Sequence, residues 1–254
     1  MSDLPISKAG RRYGFKPSFA DPRIPKFKME LPVSLPPKVD LSTWLGPVKD
    51  QGQLGACTAF AATGYIEYLY RRFKNLMPVL SPLFLYYKER EYDNDLGQGD
   101  TGSYGSTAFW VLHNTGVCQE STDPYDPISF ENPPTAAQLA EAAQYKVGAM
   151  HTVTAVDDIR SALASNYPVL IGVSIYDSFE NGDWGSSNVM PAPTGSLLGG
   201  HEIYIFGYDD SSKRFNVRNS WSANWGNNGN FYADYEQLTS IMSEGRIMHF
   251  GKPW

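Results

Sequence analysis

The chain has 254 residues, of which 42% are hydrophobic, 14% aromatic and 19% charged, with a formal net charge of −6. That length buries one large core or two modest ones sharing a cleft, and the composition is not that of a disordered chain. The acidic balance leaves no chain-wide basic field, so nucleic acid and anionic membrane are excluded as main partners.

Residues 1–34 depart from this balance: they hold seven basic and three acidic residues, a net +4 that leaves −10 on the remainder. Six prolines in residues 1–36 fix φ and remove donors, so the stretch is expected to be extended. Its apolar residues Tyr13, Phe15, Phe19, Ile24 and Phe27 call for a surface to lie against. The first fifteen residues lack the continuous apolar run of a secretory signal, and no run approaches the roughly 20 residues of a bilayer span. The chain therefore reads as soluble, with its compartment unspecified.

Cys57 to about Lys74 has small and aromatic residues at helical spacing and ends in Arg71, Arg72 and Lys74, where cations suit the helix dipole. Ser81-Pro82 is a helix start with a serine cap and a proline in the first turn. Thr107 to Asn114 predicts a helix stopped by Gly116, and two more are expected near 135–144 and 156–165. From Pro168 the pattern changes to strands: PVLIGVSI, HEIYIFGY, RFNVRNS and RIMHF, separated by turns rich in Gly, Asn, Asp and Ser. A helical first half and a β-rich second half predict an α+β protein of two lobes.

Three segments converge on one chemistry. A thiol is a good nucleophile only when ionised, and a helix N-terminus lowers a cysteine pKa. Cys57 stands at such a start behind Gly52 and Gly55, and its helix supplies N–H groups for an oxyanion. Gln51, six residues earlier, offers a side-chain amide for the same oxyanion. Farther on, the hairpin turn near Asp210–Ser211 pairs residues whose numbers sum to about 421. His201 and Asn219 then lie opposite or nearly opposite, with the amide oxygen placed to hold the tautomer and direction of an imidazole base.

With Cys57, His201 and Asn219 in that order and 144 residues between the first two, within the roughly 130–150 known for papain relatives, the chain resembles the papain family. The run Gln51–Phe60 resembles its nucleophile segment, and NSWSANWGNNG its asparagine–serine–tryptophan segment. The likeness runs from about Pro36 to the end and is closest to the compact bacterial branch. It implies a papain-like two-lobed fold with the active-site cleft between the lobes. It further implies Gln51 in the oxyanion hole, Cys57 as nucleophile, His201 as base and Asn219 as its orienter. Trp221 would shield the His–Asn bond, and Trp225 would flank the primed side. Gly102, Ser103 and Tyr104 would form the non-primed wall, and Gly200 would bear on substrate preference, where plant relatives carry a polar residue. Two departures stand out: Leu54 and Asp100 occupy the places of a family disulfide, and Thr58 that of an aromatic.

Read without the resemblance, Cys118 is a buried structural thiol, and His113, His151 and His249 are core or surface histidines. No close ligand spacing suggests a metal, and no cofactor is expected. The expected activity is hydrolysis of extended or unfolded peptides by a monomer with Cys57 reduced. An acyl or peptidyl transferase with the same triad, or an inactive peptide-binding homologue, remains an alternative. Residues 1–34 are expected to form an extended segment, lying either across the cleft or on one lobe, ahead of a peptidase domain at 35–254. Its helical lobe would cover about 50–150 and its β-rich lobe about 151–250.

Overall fold

The computed structural model describes residues 3–28 and 34–251. The elements in chain order begin with β1 (Phe15–Lys16), β2 (Lys38–Asp40), α1 (Cys57–Lys74), α2 (Pro82–Tyr92), β3 (Ser103–Tyr104), α3 (Gly105–Asn114) and α4 (Ala136–Ala142). They continue with β4 (Ala149–Thr152), α5 (Val156–Ala164), β5 (Val169–Tyr176), α6 (Asp177–Asn181), β6 (Leu197–Asp209), β7 (Arg214–Arg218), β8 (Asn230–Asp234), α7 (Tyr235–Ile241) and β9 (Met242–His249). This is the expected α+β arrangement. The exception is β2, which lies far upstream of the other strands yet joins their sheet.

Local chemistry explains the helices. Ser81 accepts from the Phe84 N–H with Pro82 in the first turn, and Thr135 with Gln138 forms a capping box. Helix α1 ends at Asn75, which takes the left-handed conformation that closes a helix. Its burial runs almost all round from Cys57 to Tyr70. A helix apolar on every side belongs in the interior, and α1 lies between α2 and α3 on one flank and β5 and β6 on the other.

The sheet runs β4-β9-β5-β6-β7-β8, with β2 also on β6, and every pairing is antiparallel. β5 is buried along nearly its whole length, as its continuous apolar run requires. The halves are joined through Tyr65: its hydroxyl donates to the Met248 carbonyl and accepts from the Met248 N–H, both at 3.0 Å.

The basic N-terminal segment lies on the body. Tyr13 and Phe15 are buried, and Ile24 and Phe27 pack against the core. Phe19 is the exception to the expected apolar seat, at 85% exposed. The basic segment meets acidic residues of the body: Arg11 pairs with Asp50, Arg12 with Asp100 and Lys16 with Asp95. Arg23 pairs instead within the segment, with Asp21.

Removing the Tyr65 hydroxyl leaves the backbone N–H and C=O of Met248 unpaired inside the core. Tyr65→Phe is therefore expected to lower unfolding stability by about 1–3 kcal/mol, read from urea denaturation at constant m-value.

Candidate active site

Cys57 is the first residue of α1. Its N-cap, Ala56, offers no side-chain hydrogen bond, and the first turn holds no acidic residue. The free N–H groups and the positive end of the helix dipole therefore remain directed at this end. The loop before it is clamped to the far half of the chain. Asp50 bridges to Trp221, Gln51 N–H donates to the Ser220 carbonyl, and Ser220 Oγ donates to Gln51 Oε1 at 2.6 Å. Gln51 Nε2 donates to the Leu54 carbonyl at 3.0 Å, and Tyr125 donates to the Gln51 carbonyl. The amide is thus fixed in orientation, with one of its two nitrogen-bound hydrogens committed.

His201 lies in β6 and is fully buried. Its Nε2 is 2.8 Å from Asn219 Oδ1, which also accepts from the Ser220 N–H at 2.8 Å. An amide oxygen only accepts, so Nε2 carries the proton and the basic lone pair is on Nδ1. Nδ1 has no hydrogen-bond partner among the described residues. Trp221 tilts over the imidazole with ring centres 5.3 Å apart, and Trp225 stands edge-on to Trp221.

The register of the hairpin differs from the sequence expectation by one to two residues. Tyr204 pairs with Arg218 and Ile205 with Val217, then a bulge shifts the pairing so that Gly207 meets Asn216. The bulge moves the turn toward Lys213, which takes a positive φ. Asn219 falls just past the end of β7, on the same parity as His201. The side chains meet on a diagonal rather than directly across, within reach for long side chains.

The backbone amides of Glu202, the residue after His201, and of Gly14 lie near enough to the Cys57 thiol to favour its thiolate. The second of these shows where the N-terminal segment lies. Gly14 bridges to Gly200, Phe15 and Lys16 pair in parallel with Ser103 and Tyr104, and Ser103 N–H donates to the Gly14 carbonyl at 2.9 Å. Gly102, at φ +70°, permits this approach: a Cβ there would lie 2.6 Å from the Gly14 Cα. Tyr13 stands edge-on to His201 and donates to Glu180 at 2.6 Å, while Arg11 lies 4.8 Å over the Trp221 ring. All the residues singled out from the sequence, Gln51, Cys57, Gly102, Ser103, Tyr104, Gly200, His201, Asn219, Trp221 and Trp225, line or support this one region. Leu54 and Asp100 show what stands at the family's disulfide position: the buried Asp100 carboxylate accepts from the Gly55 N–H at 2.8 Å and from Tyr86. Cys57 and Cys118 are both free and buried.

Burial sets the acid–base state of the site. Burial pushes the Cys57 thiol up to about 12, against hydrogen bonds from Glu202 and Gly14 that favour the thiolate. Burial lowers His201 to about 4, against the Asn219 bond that favours the imidazolium. With the segment seated, both groups are neutral across the ordinary pH range.

Sequence reasoning missed a set of buried acids near Cys57. Thr58 Oγ1 donates to Glu89 Oε2 at 2.6 Å, and burial raises the Glu89 carboxyl well above its usual range. Burial raises Glu202 to about 8 despite its ion pair with Arg246. Arg246 also pairs with Glu244. A signal for Glu202 was present: a charged residue inside the otherwise apolar run HEIYIFGY requires a buried partner.

Comparison with known proteins agrees with this geometry. The chain belongs to the papain family of cysteine proteases, whose domain matches residues 35–246. It is 33% identical over 203 residues to an uncharacterized peptidase C1-like protein of Acanthamoeba polyphaga mimivirus, covering 74% of this chain and 64% of the viral one. The crystal structure of xylellain, a cysteine protease from Xylella fastidiosa, superposes with a TM-score of 0.86 at 31% identity, covering 94% of this chain and 96% of that one. A procathepsin B from Trypanosoma congolense shares the fold at a TM-score of 0.76 and 17% identity, over 98% of this chain and 90% of that one. The chain spans only 41–64% of the length of the three curated relatives it matches first.

The pKa directions set the sign of a pH effect on closure. His201 sits near 4 when covered and has an ordinary value of 6.5, so protonation favours the uncovered state. Closure is fully stabilised between about 6.5 and 9: it weakens as pH falls toward 4, and above 9 ionisation of Cys57, whose ordinary value of 9.0 is raised to about 12 under cover, also favours the uncovered state. Hydrogen exchange of the Ser103 amide, corrected for its intrinsic pH dependence, should show protection at pH 7.5 that diminishes by pH 5. His201→Gln should flatten that trend.

Proposed function

We propose that the protein is a cysteine endopeptidase that cleaves extended or unfolded peptides through a thiolate–imidazolium pair of Cys57 and His201. Cys57 sulfur attacks the scissile carbonyl carbon. The developing oxyanion is held by the Cys57 backbone N–H and the uncommitted hydrogen on Gln51 Nε2. His201, held by Asn219, passes its Nδ1 proton to the leaving amine and then takes a proton from the water that hydrolyses the thioester. Trp221 keeps water from the His201–Asn219 bond. The backbone of Gly102–Tyr104 and Gly200 receives substrate main chain, and Trp225 borders the other side.

The observation that carries this reading is the chain's own segment lying as extended backbone over the thiol, held by the groups a substrate backbone would use. It does so as a blocker. Gly14 turns its N–H toward the sulfur and its carbonyl toward Ser103, so the group facing the thiol is an amide donor. Residues up to at least Lys16 thus act as a built-in occluder whose release precedes turnover, which also supports reading the segment and the 35–254 peptidase domain as separate functional units.

Phe15→Ala in the full chain is expected to raise hydrolysis of an unfolded protein substrate, because it removes an anchor from the cleft. Cys57→Ser in that background should lower it by about a thousandfold or more. A peptidyl epoxide should label Cys57 in the Phe15→Ala chain and not in its Cys57→Ser derivative. An uncovered chain that takes no label would leave a peptide-binding protein instead. Products dominated by aminolysis when an amine is added would indicate a transferase.

A further inference from the structure

The pocket that receives Phe15 has a charged floor. Gly172 of β5 pairs with Glu202 of β6 on one side and with Glu244 of β9 on the other. Directly opposed residues share a face of the sheet, so the two carboxylates flank the gap at Gly172. The Phe15 ring fills that gap: a Cβ on Gly172 would lie 2.5 Å from both ring Cε atoms. Arg246 spans the row, one terminal nitrogen donating to Glu202 Oε1 and the other to Glu244 Oε1. Gly105 makes room for it, since a Cβ there would lie 2.6 Å from both of those nitrogens. Glu202 and Arg246 are 0% and 3% exposed.

Glu202 Oε2 is buried without a hydrogen-bond partner among the described residues. A phenyl ring cannot donate to it. Among the described residues, the donors to Glu244 apart from Arg246 are the N–H and hydroxyl of Ser18, and both leave with the segment. Beside this floor lies a cleft of about 280 Å³, lined by Glu244, Arg246, Ser106, Met150 and Thr152 and closed on its outer side by Ser18 to Ile24. A side chain longer than phenylalanine therefore has room to extend.

We propose that this pocket is the specificity-determining subsite of the enzyme and that it selects an arginine or lysine side chain, with Glu202 and Glu244 as acceptors. This rests on the peptidase reading above. The apolar stem takes the space of the Phe15 ring, and the cationic end supplies the donors that Glu202 Oε2 and the vacated Glu244 lack. An acidic side chain would bring a second carboxylate against Glu244, and an aromatic one would leave the buried acceptor unpaired.

The segment itself reports on the pocket, so the first test needs no turnover. In the full chain, Phe15→Arg should keep Cys57 alkylation by iodoacetamide close to the wild-type rate, while Phe15→Glu should speed it by about tenfold or more, the worth of one charge-assisted hydrogen bond. Adding Glu244→Gln, at a half-buried position, or Glu202→Gln should erase the advantage of Phe15→Arg over Phe15→Glu. In the Phe15→Ala chain, a positional-scanning peptide library should show arginine and lysine preferred over leucine and phenylalanine at one non-primed position. Equal alkylation of the Phe15→Arg and Phe15→Glu chains, tighter closure by Phe15→Glu, or an apolar preference indifferent to Glu244→Gln would overturn the proposal. Absence of any cleavage by an uncovered chain would count against the peptidase reading, and the alkylation comparison would still decide the pocket.

Discussion

The register of β6 is the constraint on which the rest depends. That strand is hydrogen-bonded to β5, β7 and β2, and its pleat sends successive side chains to opposite faces. His201 is thereby directed to Asn219 and Trp221, and Glu202 to Arg246, while the peptide between them presents its N–H to the Cys57 sulfur. A slip of one residue would exchange the imidazole and the carboxylate and leave neither with a partner. Long pairing on both sides, with buried apolar residues from Ile203 to Tyr208, makes such a slip costly. The chemistry inherits its precision from the sheet rather than from the loops around it.

Against this fixed wall the helix α1 brings a sulfur and the free N–H groups of its first turn. Ionisation of that sulfur then depends on solvent access. The helix end and the backbone donors favour the thiolate, yet complete burial under Tyr13, Gly14 and Phe15 outweighs them and leaves a neutral thiol beside a neutral imidazole. Desolvation is the larger effect because no counter-charge accompanies it. On the proposed reading, the segment suppresses the nucleophile in two ways, by sterically filling the groove and by holding its two titrating groups uncharged.

The basic segment and the acidic body are complementary in detail as well as in sum. Arg11, Arg12 and Lys16 each meet an aspartate, while Ser7, Tyr13 and Ser18 donate hydroxyls to Glu180 and Glu244. The exposed pairs among these contribute little each. The hydroxyl–carboxylate contacts to Glu180 and Glu244 are partly buried, so each outweighs an exposed ion pair in holding the segment.

Much of the site was legible in the chain itself, because its determinants are local. A glycine-flanked helix start around Cys57, a short hairpin linking His201 to Asn219, and serine and threonine caps act over a few residues, and the order of the catalytic groups is a property of the chain. The hairpin register was legible only to within one or two residues, since a bulge near Phe206 leaves no composition signal. Tertiary structure alone decided the course of residues 11–18 through the cleft, the exposure of Phe19, the recruitment of β2 to the sheet, and the convergence of Glu202, Glu244 and Arg246 under Phe15. Those contacts join residues as many as 226 positions apart. Their energies come from burial and charge pairing between surfaces that exist only once the chain has folded.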